Sequence, residues 1–331
     1  EALRAARDSA EASEDDLDTM ALTVATQVTE AYFDVLSAQE QIAIVERQIE
    51  TQTSLLELLE VRYQQGDAQA ADVLQQRQQV ASATANRTSA RATRRRALQR
   101  LAVLMGRSSI RDLRTSIPSD ASLPAPPPPP ATGRPTDLFE NRPDLRAAAS
   151  RVDAARHQHR SSQRALLPTL GINGSAGGQL LINDGTDTNT TWSVGATISV
   201  PIFSGLRDIA SAREARAAAR EQRTSLEGSF IQASSDVESA LESETETIEQ
   251  LEAHEAMLNA AREAYDVSRR SYVGGVGNYL SVMTALNTYQ MAELTVLQSR
   301  RNVLTARMSL YSALGGSWTQ GLSAHSEGGR R

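Results

Sequence analysis

Residues 24–49 read VATQVTEAYFDVLSAQEQIAIVERQI, and the apolar positions Val24, Val28, Ala31, Val35, Ala38, Ile42, Val45 and Ile49 alternate in steps of four and three. That alternation is the seam of a coiled coil. Leu56 and Leu59 resume it after Gln52 interrupts, and neither Gly nor Pro occurs before Gly66. At 1.5 Å rise per residue, one helix over 1–65 would be roughly 90 Å long. Such a helix cannot fold back into a small globule.

Outward from this stretch, Tyr63-Gln64-Gln65-Gly66-Asp67 breaks the pattern, and a second helix is predicted over 68–105, stopped by Gly106. The two form an antiparallel helical hairpin. Helical character returns over 206–272, breaks at Gly274-Gly275-Val276-Gly277, and resumes over 278–314. A shift of 209 residues lays one hairpin on the other: Tyr63 falls on Tyr272, Gly66 on Gly275, Val73 on Val282, Leu101 on Leu310 and Gly106 on Gly315. The chain is therefore an internal duplication. Glu1 aligns with Ala210, just past the β segment, so the first repeat lacks a counterpart of 142–209. The expectation is an N-terminally truncated piece of a longer protein.

Between the hairpins the period changes. Trp192, Val194, Ala196, Ile198, Val200 and Ile202 alternate with Ser193, Gly195, Thr197, Ser199 and Pro201, while Leu170 and Ile172 alternate with Gly171 and Asn173. Period two with one apolar face predicts a β-hairpin over 169–203, with strands of about 12 residues and a polar turn at 183–189. Upstream, Pro124-Ala125 and the prolines at 126–130 predict a stiff polyproline II spacer, and a helix starts after Arg142-Pro143-Asp144-Leu145. The expected division is a first repeat at 1–117, a Pro-rich linker at 118–140, a second repeat at 141–316 and a disordered tail at 317–331. The fold class is mainly α with a membrane β-hairpin.

Composition narrows function. Every basic residue is Arg, which leaves no lysine for a phosphate loop, a Schiff base or general-base work. There is no Cys, hence no disulfide, thiolate nucleophile or Cys-ligated zinc. Net charge of −6 is too mild and mixed to suggest nucleic-acid binding. His157 and His159 do not share a helix face, and His254 and His325 are isolated, so no metal or other cofactor is expected. No acid/base pair or nucleophile motif stands out, and the chain reads as a non-enzyme. No apolar run is long enough for a transmembrane helix, so a membrane role falls to the strands. The apolar face of 192–202 suits lipid and its small polar face a watery lumen, with Trp192 at the membrane interface. A lone hairpin cannot satisfy its edges in lipid, so closure with other chains is required.

Two long helical hairpins, a β-hairpin and a duplication, together with Arg142-Pro143-Asp144-Leu145, Leu167-Pro168-Thr169-Leu170, Pro201-Ile202-Phe203-Ser204-Gly205 and the Tyr-x-x-Gly tips followed by Asp72-Val73-Leu74, resemble the TolC-like outer-membrane factors of tripartite efflux pumps. The Arg142–Leu145 string is similar to the branch paired with resistance-nodulation-division transporters. The resemblance implies a homotrimer with an α-barrel in the periplasm and a shared β-barrel in the outer membrane of a Gram-negative bacterium. It implies a passive exit duct whose tips dock a periplasmic adaptor, which links it to an inner-membrane transporter.

On this resemblance Tyr63, Gly66, Asp72, Tyr272 and Gly275 form the periplasmic tip, with Asp72 and Tyr272 helping to hold it closed. Trp192, Val194, Ala196, Ile198 and Val200 face lipid. The sequence departs from the family where Ser281 and Thr284 replace an acidic ring and Gly277 stands in place of a latching Arg. The Arg91, Arg94, Arg95, Arg96 and Arg100 cluster and the carboxylates Glu14, Asp15, Asp16 and Asp18 read as solvated faces. The rival readings are a periplasmic adaptor and a soluble coiled-coil scaffold. The duplication argues against the first, and the 169–203 alternation against the second.

Overall fold

The computed structural model describes residues 1–110, 117–118, 121–130, 133–183, 185–200, 202 and 205–316, with only the backbone described over 179–189. In chain order the elements are α1 (Ala2–Gln65), α2 (Ala70–Leu104), a 3₁₀ turn (Pro135–Asp137), α3 (Leu138–Asn141), α4 (Pro143–Arg164), β1 (Thr169–Asn183), β2 (Gly185–Ser199), α5 (Arg207–Val273) and α6 (Tyr279–Ala313). By contact the chain divides into Glu1–Asp18 with Pro143–Gln232, and Thr19–Arg142 with Ala233–Arg331. The tail expected at 317–331 lies outside the described residues.

In the second unit α1 is flanked on two sides. Glu46 and Asp34 pair with Arg91 and Arg100 of α2, while Asp34 also takes Arg301 of α6 at 2.6 Å. A helix with two neighbours needs two buried tracks, and α1 has them. Ala31, Val35, Ala38 and Val45 of the predicted seam are buried; Phe33, Leu36, Ile44 and Leu55 form the additional buried positions. Val24, the first seam position, is exposed. Gln52 does not interrupt the seam; its side chain is buried at 3% exposure. α6 in turn pairs with α5 through Arg300–Glu255 and Arg307–Glu244. The helices are thus ordered α2, α1, α6, α5.

The proline-rich stretch is not a free spacer. Gln39 donates to the Pro118 carbonyl at 2.8 Å, the Leu123 N–H donates to Glu40, and Tyr311 donates to the Pro128 carbonyl at 3.1 Å. Arg307, buried together with Glu244, donates to the Pro127 carbonyl. Proline offers no N–H, so the strap is fastened mainly by helix donors on its carbonyls. Ile117 and Leu123 join the apolar cluster of Ala31, Val35, Leu36, Leu98 and Leu101.

Just before α4, Arg142 closes the end of α6: its guanidinium donates to the Ala313 carbonyl at 3.1 Å and pairs with Asp236 at 3.3 Å. Gly315, with φ of +91°, lies so close to Asn141 that a Cβ would fall 2.4 Å from its carbonyl oxygen.

In the first unit α4 packs on the start of α1. Arg146 holds Asp15 at 2.8 Å and Asp18 at 3.2 Å, Arg151 holds Asp16, and the His157 ring contacts Glu1 at 2.6 Å. The carboxylates 15, 16 and 18 are therefore pairing groups and not a solvated face. β1 and β2 pair antiparallel from Thr169↔Ser199 to Asn183↔Gly185. Each strand spans 15 residues, longer than expected, because the polar stretch at 183–189 continues the ladder instead of forming a seven-residue turn. Residue 184 lies outside the described residues.

Candidate functional site

The two tips are built by the same turn. At the first, Gly66 (φ +85°) donates to the Tyr63 carbonyl at 3.1 Å and Asp67 donates to Arg62 at 2.9 Å. At the second, Gly275 (φ +78°) donates to Tyr272 at 3.1 Å and Val276 donates to Ser271 at 3.0 Å. Each is the paired closure that a left-handed glycine permits at a helix end. The caps of the following helices differ. Asp72 reaches back to the Gln69 N–H at 3.4 Å, whereas the Asn278 side chain accepts from the Ser281 N–H at 2.8 Å. A Cβ on Gly277 would lie 3.1 Å from the Tyr272 nitrogen, so a side chain there would require the neighbouring backbone to shift by a few tenths of an ångström.

The duplicated tyrosines have diverged. Tyr63 is 50% exposed, but Tyr272 is buried at 5%. Arg62 covers Tyr272, with its guanidinium carbon 4.5 Å from the ring centroid and a hydrogen bond to the Tyr272 carbonyl at 2.6 Å. That contact joins the α1 end to the α5 end. Beneath it Leu55, Leu59, Val73, Tyr279, Val282 and Leu286 close an apolar cluster.

A buried polar chain crosses this cluster. The Tyr279 hydroxyl donates to Gln76 Oε1 at 2.9 Å, and Gln76 Nε2 donates to both the carbonyl and Oε1 of Gln52 at 2.7 Å. Gln52 Nε2 donates to Gln290 Oε1 at 2.9 Å. α1, α2 and α6 are tied together by the buried amides of Gln52 and Gln76 and the half-buried amide of Gln290. Burial, with the Asp72 carboxylate and Tyr272 nearby, pushes the Tyr279 hydroxyl up to about 12. Burial also raises Tyr272, against the opposing effect of Arg62. Of the five expected tip residues, Tyr272 lies inside this assembly and Asp72 beside it. Tyr63, Gly66 and Gly275 lie at the exposed turns. Arg62, Gln76, Tyr279 and Gln290 went unnoticed in the sequence, and Gln52 was read only as an interruption of the seam. The signal for Gln52 was its place on the heptad, where a polar residue must find a partner.

The β-hairpin sorts its faces by register. Leu170 opposes Ile198, Ile172 opposes Ala196, Gly174 opposes Val194 and Ala176 opposes Trp192. Trp192, Val194 and Ile198 are 78%, 74% and 72% exposed, and Ala196 and Val200 are exposed as well. The other face carries Gly171, Asn173, Ser175 and Gly177 against Thr197, Gly195, Ser193 and Thr191, with the Ser175 and Ser193 hydroxyls 2.8 Å apart. One face is greasy and bare, and the other is small and polar.

Among the described residues no group of His and carboxylates could hold a metal ion, and no helix is long and apolar enough to cross a membrane. The chain is 30% identical over 317 residues to the pyoverdine export outer membrane protein OpmQ of Pseudomonas aeruginosa, which covers 96% of this chain and 66% of the relative. The chain thus spans about two thirds of that relative's length. Among solved structures, the outer-membrane channel OprN matches with a TM-score of 0.84 at 25% identity, covering 96% of this chain and 71% of that one. The outer membrane protein VceC of Vibrio cholerae shares the fold, with a TM-score of 0.80 at 24% identity over 95% of this chain and 74% of that one. The family described as outer membrane efflux protein matches residues 1–107 and 135–316, and the chain belongs to that family.

Proposed function

We propose that this chain forms the greater part of an exit duct in the outer membrane of a Gram-negative bacterium. Three copies close one β-barrel through the membrane and one helical barrel below it. The observation that carries this reading is the hairpin of β1 and β2. Its apolar face is exposed, its opposite face is small and polar, and in lipid its two edges need strands from other chains. OpmQ is named for pyoverdine export; here the cargo is a small molecule that the duct passes without chemistry.

The helical tips are the gate and the docking surface for a periplasmic adaptor, which connects the duct to an inner-membrane transporter. Tyr63, Gly66 and Gly275 present the exposed turns. Asp72 and Tyr272 belong to the closed form, supported by Arg62 and by the buried amide chain from Tyr279 to Gln290.

The test is the native mass, in detergent, of the full-length protein extracted from membranes. A trimer that needs detergent and falls to monomers on boiling is the expected result. A monomer or dimer that stays soluble without detergent would overturn the reading in favour of a helical adaptor or scaffold.

A further inference from the structure

The arginine-rich stretch of α2 is not uniformly a solvated face. Ala90, Arg94, Ala97 and Leu101 follow one another in steps of four, three and four, which places Arg94 on the seam that α2 presents to α1. Its neighbours on that seam are apolar: Ala90 and Leu101 are each 2% exposed, and Ala97 packs against the cluster around Leu98. Arg94 is half-buried, and its Nε is enclosed without a hydrogen-bond partner among the described residues. A guanidinium buried without a counterion costs stability. Packing alone would favour leucine at this position.

Arg94 borders a cavity of about 350 Å³ lined by Ile42 of α1 and by Arg91, Arg94, Arg95 and Leu98 of α2. The four α2 residues are spaced i, i+3, i+4 and i+7, a single stripe of the helix. Three guanidiniums thus gather where their charges repel, and the lining holds no carboxylate. Arg91 has a counterion, Glu46 at 3.0 Å, but Arg94 and Arg95 have none among the described residues. Ile42 and Leu98, the latter 1% exposed, supply an apolar wall. On α1, Gln39, Ile42 and Glu46 also share one stripe, and Gln39 holds the Pro118 carbonyl. The cavity therefore lies in the groove between two helices of one chain, beside the proline-rich strap.

We propose that this cavity binds a small organic anion, a carboxylate or phosphate monoester carried on an apolar body. The forks of Arg94 and Arg95 match the oxygens of either head group, and the wall of Ile42 and Leu98 suits the body. Size sets the class. Small-molecule sites span roughly 300–1,000 Å³, and a cavity of about 350 Å³ is too small for a diacyl lipid or a glycan strand. A bound anion gives the enclosed Nε an acceptor and relieves the repulsion among the arginines, so it stabilises the pairing of α1 with α2. All five lining residues come from one chain, and the site is complete without a second copy.

The experiment uses full-length protein in detergent, with 1-naphthoate as the probe and its neutral counterpart 1-naphthalenemethanol as the comparison. Binding is measured by equilibrium dialysis against a detergent-only blank, and melting by circular dichroism. Saturable binding of 1-naphthoate is expected, with Kd on the order of 0.1–1 mM and a melting temperature that rises with its concentration. The alcohol should bind about tenfold more weakly or worse. Arg94→Leu should weaken 1-naphthoate binding by about tenfold or more, yet melt no lower than wild type without ligand, because the seam regains an aliphatic side chain. Arg95→Gln, at an exposed position, should weaken binding severalfold with the fold unchanged. Arg107→Gln, exposed at the end of the same segment and outside the cavity, should bind as wild type does. Should Arg94→Leu fail to fold, Arg95→Gln still decides. No saturable binding, equal binding of the alcohol, or an equal loss in Arg107→Gln would overturn the proposal. Full binding retained in Arg94→Leu and Arg95→Gln would overturn it as well.

Discussion

Gln76 has no exposed surface, and both ends of its amide are engaged, Oε1 by Tyr279 and Nε2 by Gln52. Gln76→Ala would leave the Tyr279 hydroxyl and the Gln52 Oε1 without these partners in a dry core, at a cost of about 2–4 kcal/mol to the hairpin assembly. Tyr279→Phe removes a single bond and should cost about 1 kcal/mol. Chemical denaturation followed by helicity checks both. The Tyr279 hydroxyl, raised to about 12 from the ordinary 10, also gives a pH dependence with a definite sign. The folded state holds that proton more tightly than the unfolded chain does. Its contribution is complete below about pH 10 and is lost as pH rises toward 12. Denaturation midpoints should fall over that window, and less steeply in Tyr279→Phe. None of this could be read from the letters. A glutamine on a heptad looks like an interruption until the helix that answers it is known, and Gln290 lies far away in sequence.

The turn glycines were legible at the level of elements because their role is local: left-handed backbone at a helix end favours glycine whatever surrounds it. What sequence could not distinguish is the fate of duplicated positions. Gly106 and Gly315 correspond under the repeat, and both have positive φ, at +67° and +91°. A Cβ on Gly106 meets open space, whereas on Gly315 it meets the Asn141–Arg142 backbone. Gly106→Ala should therefore cost about 1 kcal/mol, and Gly315→Ala several times that, as thermal unfolding would show. The difference arises because the segment before α4 returns against the end of the second hairpin, a long-range contact that no local pattern encodes. The same limitation hid the second buried track of α1. Periodicity reveals that a helix has a greasy side and is silent on how many neighbours it has.

For the molecule as a whole, the hairpin of β1 and β2 offers a paired comparison. Ile198 and Ser193 lie on opposite faces of one strand. On the proposed reading Ile198→Arg places a charge where lipid is expected and should lower assembly, by an amount that falls from about 2–4 kcal/mol at the bilayer midplane toward about 0–1 kcal/mol near the interface. On the same reading Ser193→Arg, on the small polar face, should leave assembly intact while narrowing the bore. Trimer yield from membranes, with conductance of the reconstituted protein, separates the two; equal loss in both would contradict the assignment of faces. Alternation made these faces visible in the sequence because a strand's sidedness is the simplest of all patterns. The proline-rich segment was legible only in part: its stiffness could be read, but not the helix donors that fasten it. Arg307 and Tyr311 hold it by the carbonyls of Pro127 and Pro128. A carbonyl is the same on every residue, so at 127 and 128 the helices grip the chain without regard to its side chains. Substitution at 127 or 128 would leave those acceptors in place, whereas a residue added or removed would carry them out of reach. Between the anchored Leu123 and α6 the segment works as a ruler, marked in residues.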